Sequence, residues 1–406
     1  MRKGWPVRRL GDLSCLITKG TTPTSIGHAF VPEGINFLKV ESISENGQFI
    51  ESKIARITQE CHDALRRSQL KSGDILFSIA GALGRAAFVT EDIVPANTNQ
   101  ALAIIRLKQS DDVLPKYVLK TLATGTVLEQ IEKFKGGVAQ QNLSLAQVRD
   151  FEIPLPPLPE QQRIVGILDE AFEGIATAKA NAEKNLLNAR AIFESHLQSV
   201  FTQRGEGWVE RRLGDLATFR NGINFTKSSL GDSVKIVGVK DFRNNFLAPL
   251  DSLDTVTIDG KLPDTDILKE NDLLFVRSNG NTELIGRCLL VGVVAETITH
   301  SGFTIRARIH SSSLTPKYLC HFLKSNKAKR EMIDSGIGTN IKSLNQATLS
   351  ALVIPFPPSA MQSRIVCQLD ALNAETQRLE SLYQQKLDAL DELKKSLLHQ
   401  AFAGQL

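Results

Sequence analysis

Two textures of apolar patterning alternate along the chain. In the first, short apolar runs are broken by Gly, Asn, Asp and Pro. Ile35 to Val40, Asp74 to Ile79 and Ala101 to Leu107 read as strands, with turn chemistry between them. Pro115 to Gln130 reads as a helix, with proline in its first turn and apolar residues at helical spacing. The second texture begins after Pro159, where no proline occurs until Pro249 and glycine is sparse from Glu160 to Arg204. Ile164, Leu168, Ala171, Ile175, Ala178, Ala182, Asn185, Ala189 and Ile192 alternate by four and three, the spacing of a heptad seam.

Both textures then repeat. Strand patterns recur at Lys235 to Val239, Asp272 to Val276 and Phe303 to Ile309, followed by a helix from Pro316. A second seam follows Ala360: Ile365, Leu369, Leu372, Thr376, Leu379, Tyr383, Lys386, Leu390, Leu393 and Leu397. The words repeat as well as the pattern. Gly4-Trp5 and Leu10-Gly11-Asp12-Leu13 return as Gly207-Trp208 and Leu213-Gly214-Asp215-Leu216. Gly73-Asp74 before Ile75 returns as Asn271-Asp272 before Leu273, and Pro115-Lys116-Tyr117 as Pro316-Lys317-Tyr318. Ile153-Pro154-Leu155-Pro156-Pro157 returns as Ile354-Pro355-Phe356-Pro357-Pro358. The offset stays near 200, a duplicated domain-plus-helix unit rather than a solenoid.

The expected fold is therefore α+β, with globular segments at 1–155 and 206–355 and helices at 156–205 and 356–406. Separate bundling helices or a coiled coil between two chains would give the same seams. Matched lengths within one chain favour an internal antiparallel pair, with the small residues of one seam against the leucines of the other. A helix of ~45 residues reaches roughly 65 Å. Phe402 to Leu406 stands where Phe201 to Gly205 stands before the second tryptophan. The end of the chain is thus expected beside the start of the first domain, giving a nearly circular unit with pseudo-twofold symmetry.

Composition narrows the function. Of 406 residues, 42% are hydrophobic and 23% charged, a balance that excludes global disorder. The longest strongly apolar run, Cys288 to Ala295, is far short of the ~20 residues of a membrane span. Met1 to Pro6 leads into no apolar segment of a signal peptide, so the chain reads as cytoplasmic. Lysine and arginine exceed the acids by 3 in each globular segment, while each helical segment is −1. That excess permits a local basic face without requiring one. The five cysteines are scattered, and Cys61-His62 and Cys320-His321 are too cramped to chelate a metal alone.

No catalytic constellation emerges. Gly260-Lys261 lacks the upstream glycine of a phosphate-binding loop, no His-Glu-x-x-His occurs, and the Gly-x-Ser-x-Gly elbow is missing. Leu155-Pro156-Pro157-Leu158 and Phe356-Pro357-Pro358-Ser359 lack the flanks with which adenine methyltransferases hold a flipped base, and read as hinges. Gly336-Ile337-Gly338 lacks the third glycine of a dinucleotide loop and reads as a turn. Glu51-Ser52-Lys53, with Glu41 upstream, is the one fragment that half-matches a nuclease metal site. Two rivals thus stand beside a binding module: an enzyme fused to its recognition domains, and a coiled-coil scaffold for proteins alone.

The duplicated Trp…Leu-Gly-Asp-Leu opening, the block from Pro154 to Val165 and the helix after it together resemble the specificity subunit of type I restriction–modification systems. Gly34 to Leu38, Ser72 to Leu76, Gly81 to Arg85, Asn97 to Gln100 and Gly136 to Ser144 add to the resemblance, which spans essentially the whole chain. The second copy departs at Ser359 to Arg364, so its hinge is expected to contact its neighbours less typically. The resemblance implies a non-catalytic subunit with two target-recognition domains, each reading half of an asymmetric split DNA site. The paired helices would form an antiparallel coiled-coil spacer. Partner methyltransferase subunits, two of them, would bring S-adenosylmethionine and methylate adenine N6; motor-nuclease subunits would bring ATP and magnesium. No cofactor or metal is then expected on this chain.

Base reading requires donors and acceptors on loops that reach the major groove, although most contacts go to phosphates. The first domain offers Lys19, Thr21, Thr22, Lys39, Arg85, Asn99, Gln140 and Gln141. The second offers Arg220, Asn221, Asn224, Lys240, Arg243, Arg277, Asn279 and Asn281. Thr21 to Thr24 faces Ile223 to Thr226 in the repeat, and unlike loops on one scaffold predict two unlike half-sites.

Overall fold

A computed structural model describes residues 5–135, 142–243, 245–334 and 343–406. Gln140, Gln141 and the turn at Gly336 to Gly338 lie outside the described residues. The chain forms two compact units, Met1–Ala182 with Gln385–Leu406, and Glu183–Gln384. Each long helix is shared between them, running Leu158–Thr202 and Ser359–Ala403, 45 residues apiece.

Strand alternation builds the first unit. The six-residue strand β8 (Leu102–Leu107) sends Ala103 and Ile105 to one face of its sheet and Leu102 and Ile104 to the other. It lies between β2 (Ser14–Lys19) and β5 (Ile75–Ser78), and β6 (Ala86–Phe88) completes the four-stranded antiparallel sheet. One face packs on the helix Pro115–Leu122 through Val118 and Leu122; the other packs with Leu38, Ile43 and Ala96. Leu38 and Ala96 belong to a three-stranded sheet in which β3 (Ile35–Leu38) pairs antiparallel with β4 (Ala55–Ile57) and parallel with β7 (Ala96–Thr98). A separate ribbon joins β1 (Val7–Arg9) to β9 (Glu152–Pro154).

The second unit repeats every pairing. β10 (Val209–Arg212) joins β18 (Val353–Phe356). The four-stranded order is β11 (Ala217–Asn221), β17 (Thr304–Ile309), β14 (Leu273–Val276) and β15 (Cys288–Leu290). The three-stranded order is β13 (Asp254–Thr257), β12 (Ser233–Val237) and β16 (Ile298–His300), with β12 and β16 parallel.

The repeated words have identifiable tasks. Asp74 is fully buried and receives Arg106 through two 2.7 Å bonds, while Asp272 receives Arg308 in the same way. Burying a carboxylate demands such a bidentate partner. The residues before them, Gly73 and Asn271, have φ of +92° and +70°. Glycine and asparagine are the residues that take this left-handed backbone most readily, which is why they alternate here. Tyr117 and Tyr318 donate their hydroxyls to the carbonyls of Pro154 and Pro355, both at 2.8 Å, so the Pro-Lys-Tyr and Ile-Pro motifs are two halves of one contact. Gln161 bonds Leu114 N and the carbonyls of Asp112 and Pro156; Gln362 makes the same three bonds to Thr315, Ser313 and Pro357. The second hinge is thus held like the first, contrary to the expectation from its altered sequence. What it lacks is the Glu160–Arg163 pair, since Met361 stands in the place of the glutamate.

The long helices pack antiparallel within each unit. In the first, Ile164, Val165 and Leu168 cluster with Ala401 and Phe402, while Lys179 reaches Asp391 at 2.7 Å. In the second, Leu197 and Phe201 share a core with Ile365 and Leu369, while Arg190 meets Glu380 at 2.9 Å. The seam drifts from strict heptads. Asn185 and Ile192 are exposed and Leu186 and Phe193 turn inward; Lys386 and Leu393 are exposed and Leu387 and Lys394 turn inward. A straight helix gains about 20° per heptad on a 3.5-residue repeat, enough to hand the seam to the next residue. Trp5, Phe402 and Leu406 join one cluster, and Arg163 donates to the Leu406 carbonyl at 2.6 Å, so the chain's last residues sit beside the first domain's opening as expected. The helix expected over Pro115 to Gln130 breaks at Ala123 and resumes over Gly125–Lys135, with the Thr124 hydroxyl bonding back to the Thr121 carbonyl across the break.

Candidate nucleic-acid interface

Polar candidates of the first unit gather where β2 ends and β7 turns into β8. Gly20 follows Lys19 and lies against the chain: a Cβ there would stand 1.7 Å from the Thr98 carbonyl oxygen. Only glycine permits that approach, which is locked by Gly20 N–Asn99 O (3.1 Å) and Thr21 N–Thr98 O (3.2 Å). The turn holds Thr22 against Gln100 at 2.5 Å and brings the Arg67 guanidinium 3.4 Å from the Thr21 hydroxyl. Asn99 accepts from Ala101 N at 3.1 Å and shapes the turn, while Lys19 is exposed. Lys19, Thr21, Thr22 and Asn99 therefore share one tip with Gln100 and Arg67. Arg67 was beyond sequence reasoning, since 46 residues separate it from Thr21.

The remaining two described candidates of this unit have internal partners. Lys39 lies over the Phe30 ring at 4.5 Å and pairs with Glu41 at 3.7 Å. Arg85 donates to the Ile43 carbonyl at 3.0 Å and faces Glu45 at 3.8 Å. Glu51 likewise pairs with Arg56 at 3.4 Å, so the two acids of the suspected nuclease fragment each face a cation. Among the described residues no group of three or more His, Cys, Asp or Glu side chains is placed to hold a metal.

In the second unit Gly222 repeats Gly20, its Cβ position lying 2.2 Å from the Ser301 carbonyl oxygen. Asn221 and Asn224 flank it; Asn221 accepts from Gln346 at 3.1 Å, and the Asn224 amide oxygen sits against Gly302. The tip is otherwise unlike its counterpart: Ile223 replaces Thr21, Gly302 replaces Gln100, and Phe303, 60% exposed, replaces the half-buried Ala101. Arg277 adjoins through its amide, which donates to the Phe303 carbonyl at 2.9 Å. Arg220 is committed to Asp266 through both carboxylate oxygens.

A second group lies apart from this turn in sequence. Lys240, Arg243 and Asn279 line a shallow pocket with Arg287. Lys240 also reaches Asp254 at 2.5 Å, and Arg287 anchors on the Arg243 carbonyl at 2.8 Å. Asn279 and Asn281 accept from backbone amides two residues on, a turn-forming use. Arg287 is the repeat of Arg85, each following a glycine of φ near +80° (Gly84 and Gly286), and the Gly-Arg pair repeated at the common offset is the signal that identifies it.

Beneath the second tip lies a buried histidine–arginine cluster, where the corresponding described positions of the first unit carry neither residue. His300 is fully buried, with Nδ1 2.9 Å from the Thr304 hydroxyl and no hydrogen-bond partner for Nε2. Burial, helped by the Arg306 charge, pushes its pKa down to about 3. Arg306 is itself lowered by burial, and its Nη1 donates to the Thr265 carbonyl at 2.7 Å. Thr98 and Ile104 occupy the corresponding places in the first unit.

The comparisons with known proteins agree with this duplicated frame. The sequence profile described as the type I restriction modification DNA specificity domain matches residues 2–188 and again 205–389. The chain belongs to that family and carries its domain twice, the two-domain form of a type I specificity subunit. It is 23% identical over 314 residues to the StySPI specificity subunit of Salmonella potsdam, spanning 74% of this chain and 67% of that one. It is 25% identical over 291 residues to the EcoKI specificity subunit of Escherichia coli K12, spanning 68% and 62%. The MjaIX specificity subunit of Methanocaldococcus jannaschii is 23% identical over 376 residues, spanning 88% and 84%. Among solved structures, a chain from a study of type I R-M complex assembly and conformational transition matches with a TM-score of 0.81 at 19% identity, covering 100% and 99%. The HsdS subunit of Thermoanaerobacter tengcongensis matches at 0.62 and 18%, covering 100% and 98%. Among the described residues no helix is long and apolar enough to cross a membrane.

Proposed function

We propose that each globular domain reads one half of an asymmetric split DNA site, and that the chain works by choosing the site while partners perform the chemistry. The observation that carries this is the pair of tips. One glycine-locked frame, at Gly20 and Gly222, presents Thr21, Thr22 and Gln100 in one unit and Ile223, Asn224 and Gly302 in the other. Constant framework with variable side chains suits two different half-sites. The first tip offers hydroxyls and an amide to base edges, with Arg67 and Lys19 for phosphates. The second offers amides beside an aromatic ring.

The paired helices act as the spacer that sets the unread gap and as the seat for methyltransferase subunits. Leu187 and Ile192 are 65% and 58% exposed on the central helix, apolar positions suited to a partner's contact. S-adenosylmethionine enters with those subunits, two in number, and ATP with magnesium enters with motor-nuclease subunits. Adenine N6 is the methylated position, and the assembly works in the cytoplasm.

Salt separates this reading from a scaffold that binds proteins alone. The chain assembled with its methyltransferase subunits is expected to retain duplex DNA with an affinity falling on the order of a thousandfold between 50 and 200 mM salt, as phosphate neutralisation requires. DNA retention that salt leaves unchanged, or no retention at all, contradicts it.

A further inference from the structure

The second tip carries a side chain that hydrogen bonding does not explain. Phe303 is 60% exposed, yet its backbone is pinned on both sides. Its amide donates to the Ser301 hydroxyl at 3.2 Å, and its carbonyl accepts from Arg277 N at 2.9 Å. The flanking amides are bound too, Gly302 N to Ile223 O at 2.7 Å and Thr304 N to Ser301 O at 2.8 Å. At Gly302 a Cβ would stand 2.0 Å from the Asn224 amide oxygen, so that amide lies directly against the backbone before Phe303. A large apolar ring is thereby held out to solvent on a hydrogen-bonded backbone, next to the glycine on which the Asn224 amide rests and paired through its carbonyl to the Arg277 backbone. Holding an exposed ring in place costs hydration free energy without a partner, and its fixed backbone reduces the entropy lost on binding.

We propose that Phe303 is a specificity-determining residue that packs on the 5-methyl group of a thymine in the half-site read by the second unit. This deepens the proposed function and rests on it. The surroundings select that occupant. The neighbouring Asn224 amide is suited to an adenine edge, and the methyl of the paired thymine is the apolar group displayed beside such an edge in the major groove. The first unit has half-buried Ala101 at this place, with Thr22 and Gln100 bonded to each other beside it, so its half-site is read without this contact.

The test first sequences N6-methyladenine in cells expressing the methyltransferase subunit with either the wild-type chain or F303A. The expected result is a split motif whose wild-type form specifies an A·T pair at one position of one half, and which F303A relaxes at that position alone. Duplexes of that motif, each with one thymine of that half replaced by uracil, are then bound to the purified complex. One replacement is expected to weaken wild-type binding about three- to tenfold, the range for losing one buried methyl. F303A is expected to bind the thymine duplex more weakly and to ignore uracil there, with F303L intermediate and the melting temperature of each variant unchanged. An unchanged motif in F303A, a half-site without thymine, or wild-type indifference to every uracil would overturn the proposal. So would loss of subunit assembly with no change in the motif, which would make Phe303 a protein contact. A wild-type chain that writes no motif would instead refute the DNA-reading function, and this inference with it.

Discussion

His300 and Thr98 occupy one position of the repeated frame, and the exchange between them has a measurable consequence. Thr98 satisfies its hydroxyl on the Leu38 carbonyl at 3.0 Å. His300 is buried neutral among Arg306, Asp266, Arg220 and Arg308, with its pKa lowered to about 3, chiefly by burial. A histidine whose folded pKa lies below its unfolded value binds its proton preferentially in the unfolded chain. Its stabilising contribution is whole above pH ~6.5 and is lost as pH falls toward 3. The second unit is therefore expected to lose stability by up to about 1.4 kcal/mol per pH unit below ~6 from this group alone. His321, lowered by burial against the pull of Asp370, acts in the same direction. His300→Thr, which borrows the first unit's solution, is expected to flatten the profile, as denaturant titrations between pH 7.5 and 5 will show. An equally steep profile in that variant contradicts the assignment.

At the scale of elements, the helices carry the clearest quantitative expectation. Seven residues inserted in register into each long helix add about 10.5 Å, which corresponds to about three base pairs of B-form DNA. The methylated motif of such a variant is expected to keep both half-sites and widen its gap by about three pairs; an unchanged gap contradicts the spacer role. These helices were the most legible elements in the sequence, since a proline-free stretch with a four-three seam has few other readings. The seam's drift to Leu186 and Phe193 was less legible, because helix twist and not residue type decides which neighbour turns inward. Strands such as β5, β8, β14 and β17 were visible as buried apolar runs. The three-residue strands β4, β6 and β7 were not, because they are too short to show a period and their partners define them, as the distant β3 defines β7. The candidate site divides the same way. Turn residues such as Thr21, Thr22 and Asn99 announce themselves by type, whereas Arg67 arrives from a remote turn. The commitment of Arg220 to Asp266 depends on a partner 46 residues away.

For the whole molecule, the duplication makes chain order nearly arbitrary. Phe402 packs on Tyr117 with ring centroids 5.3 Å apart, as Phe201 packs on Tyr318 at 5.6 Å. Each domain thus receives the end of a long helix against the same tyrosine. A permuted chain that opens at Gly207, with its former ends joined by a short linker, is expected to fold, bind the methyltransferase subunits and direct the same motif. Failure to bind those subunits contradicts the pseudo-circular frame. The central claim is that this chain alone decides which DNA is modified, and methylation sequencing tests it most directly. Cells expressing the methyltransferase subunit are compared with and without this chain. A new split motif bearing N6-methyladenine in both halves, present only with the chain, is the predicted result; an identical methylation pattern in both, despite a stable complex, would contradict it.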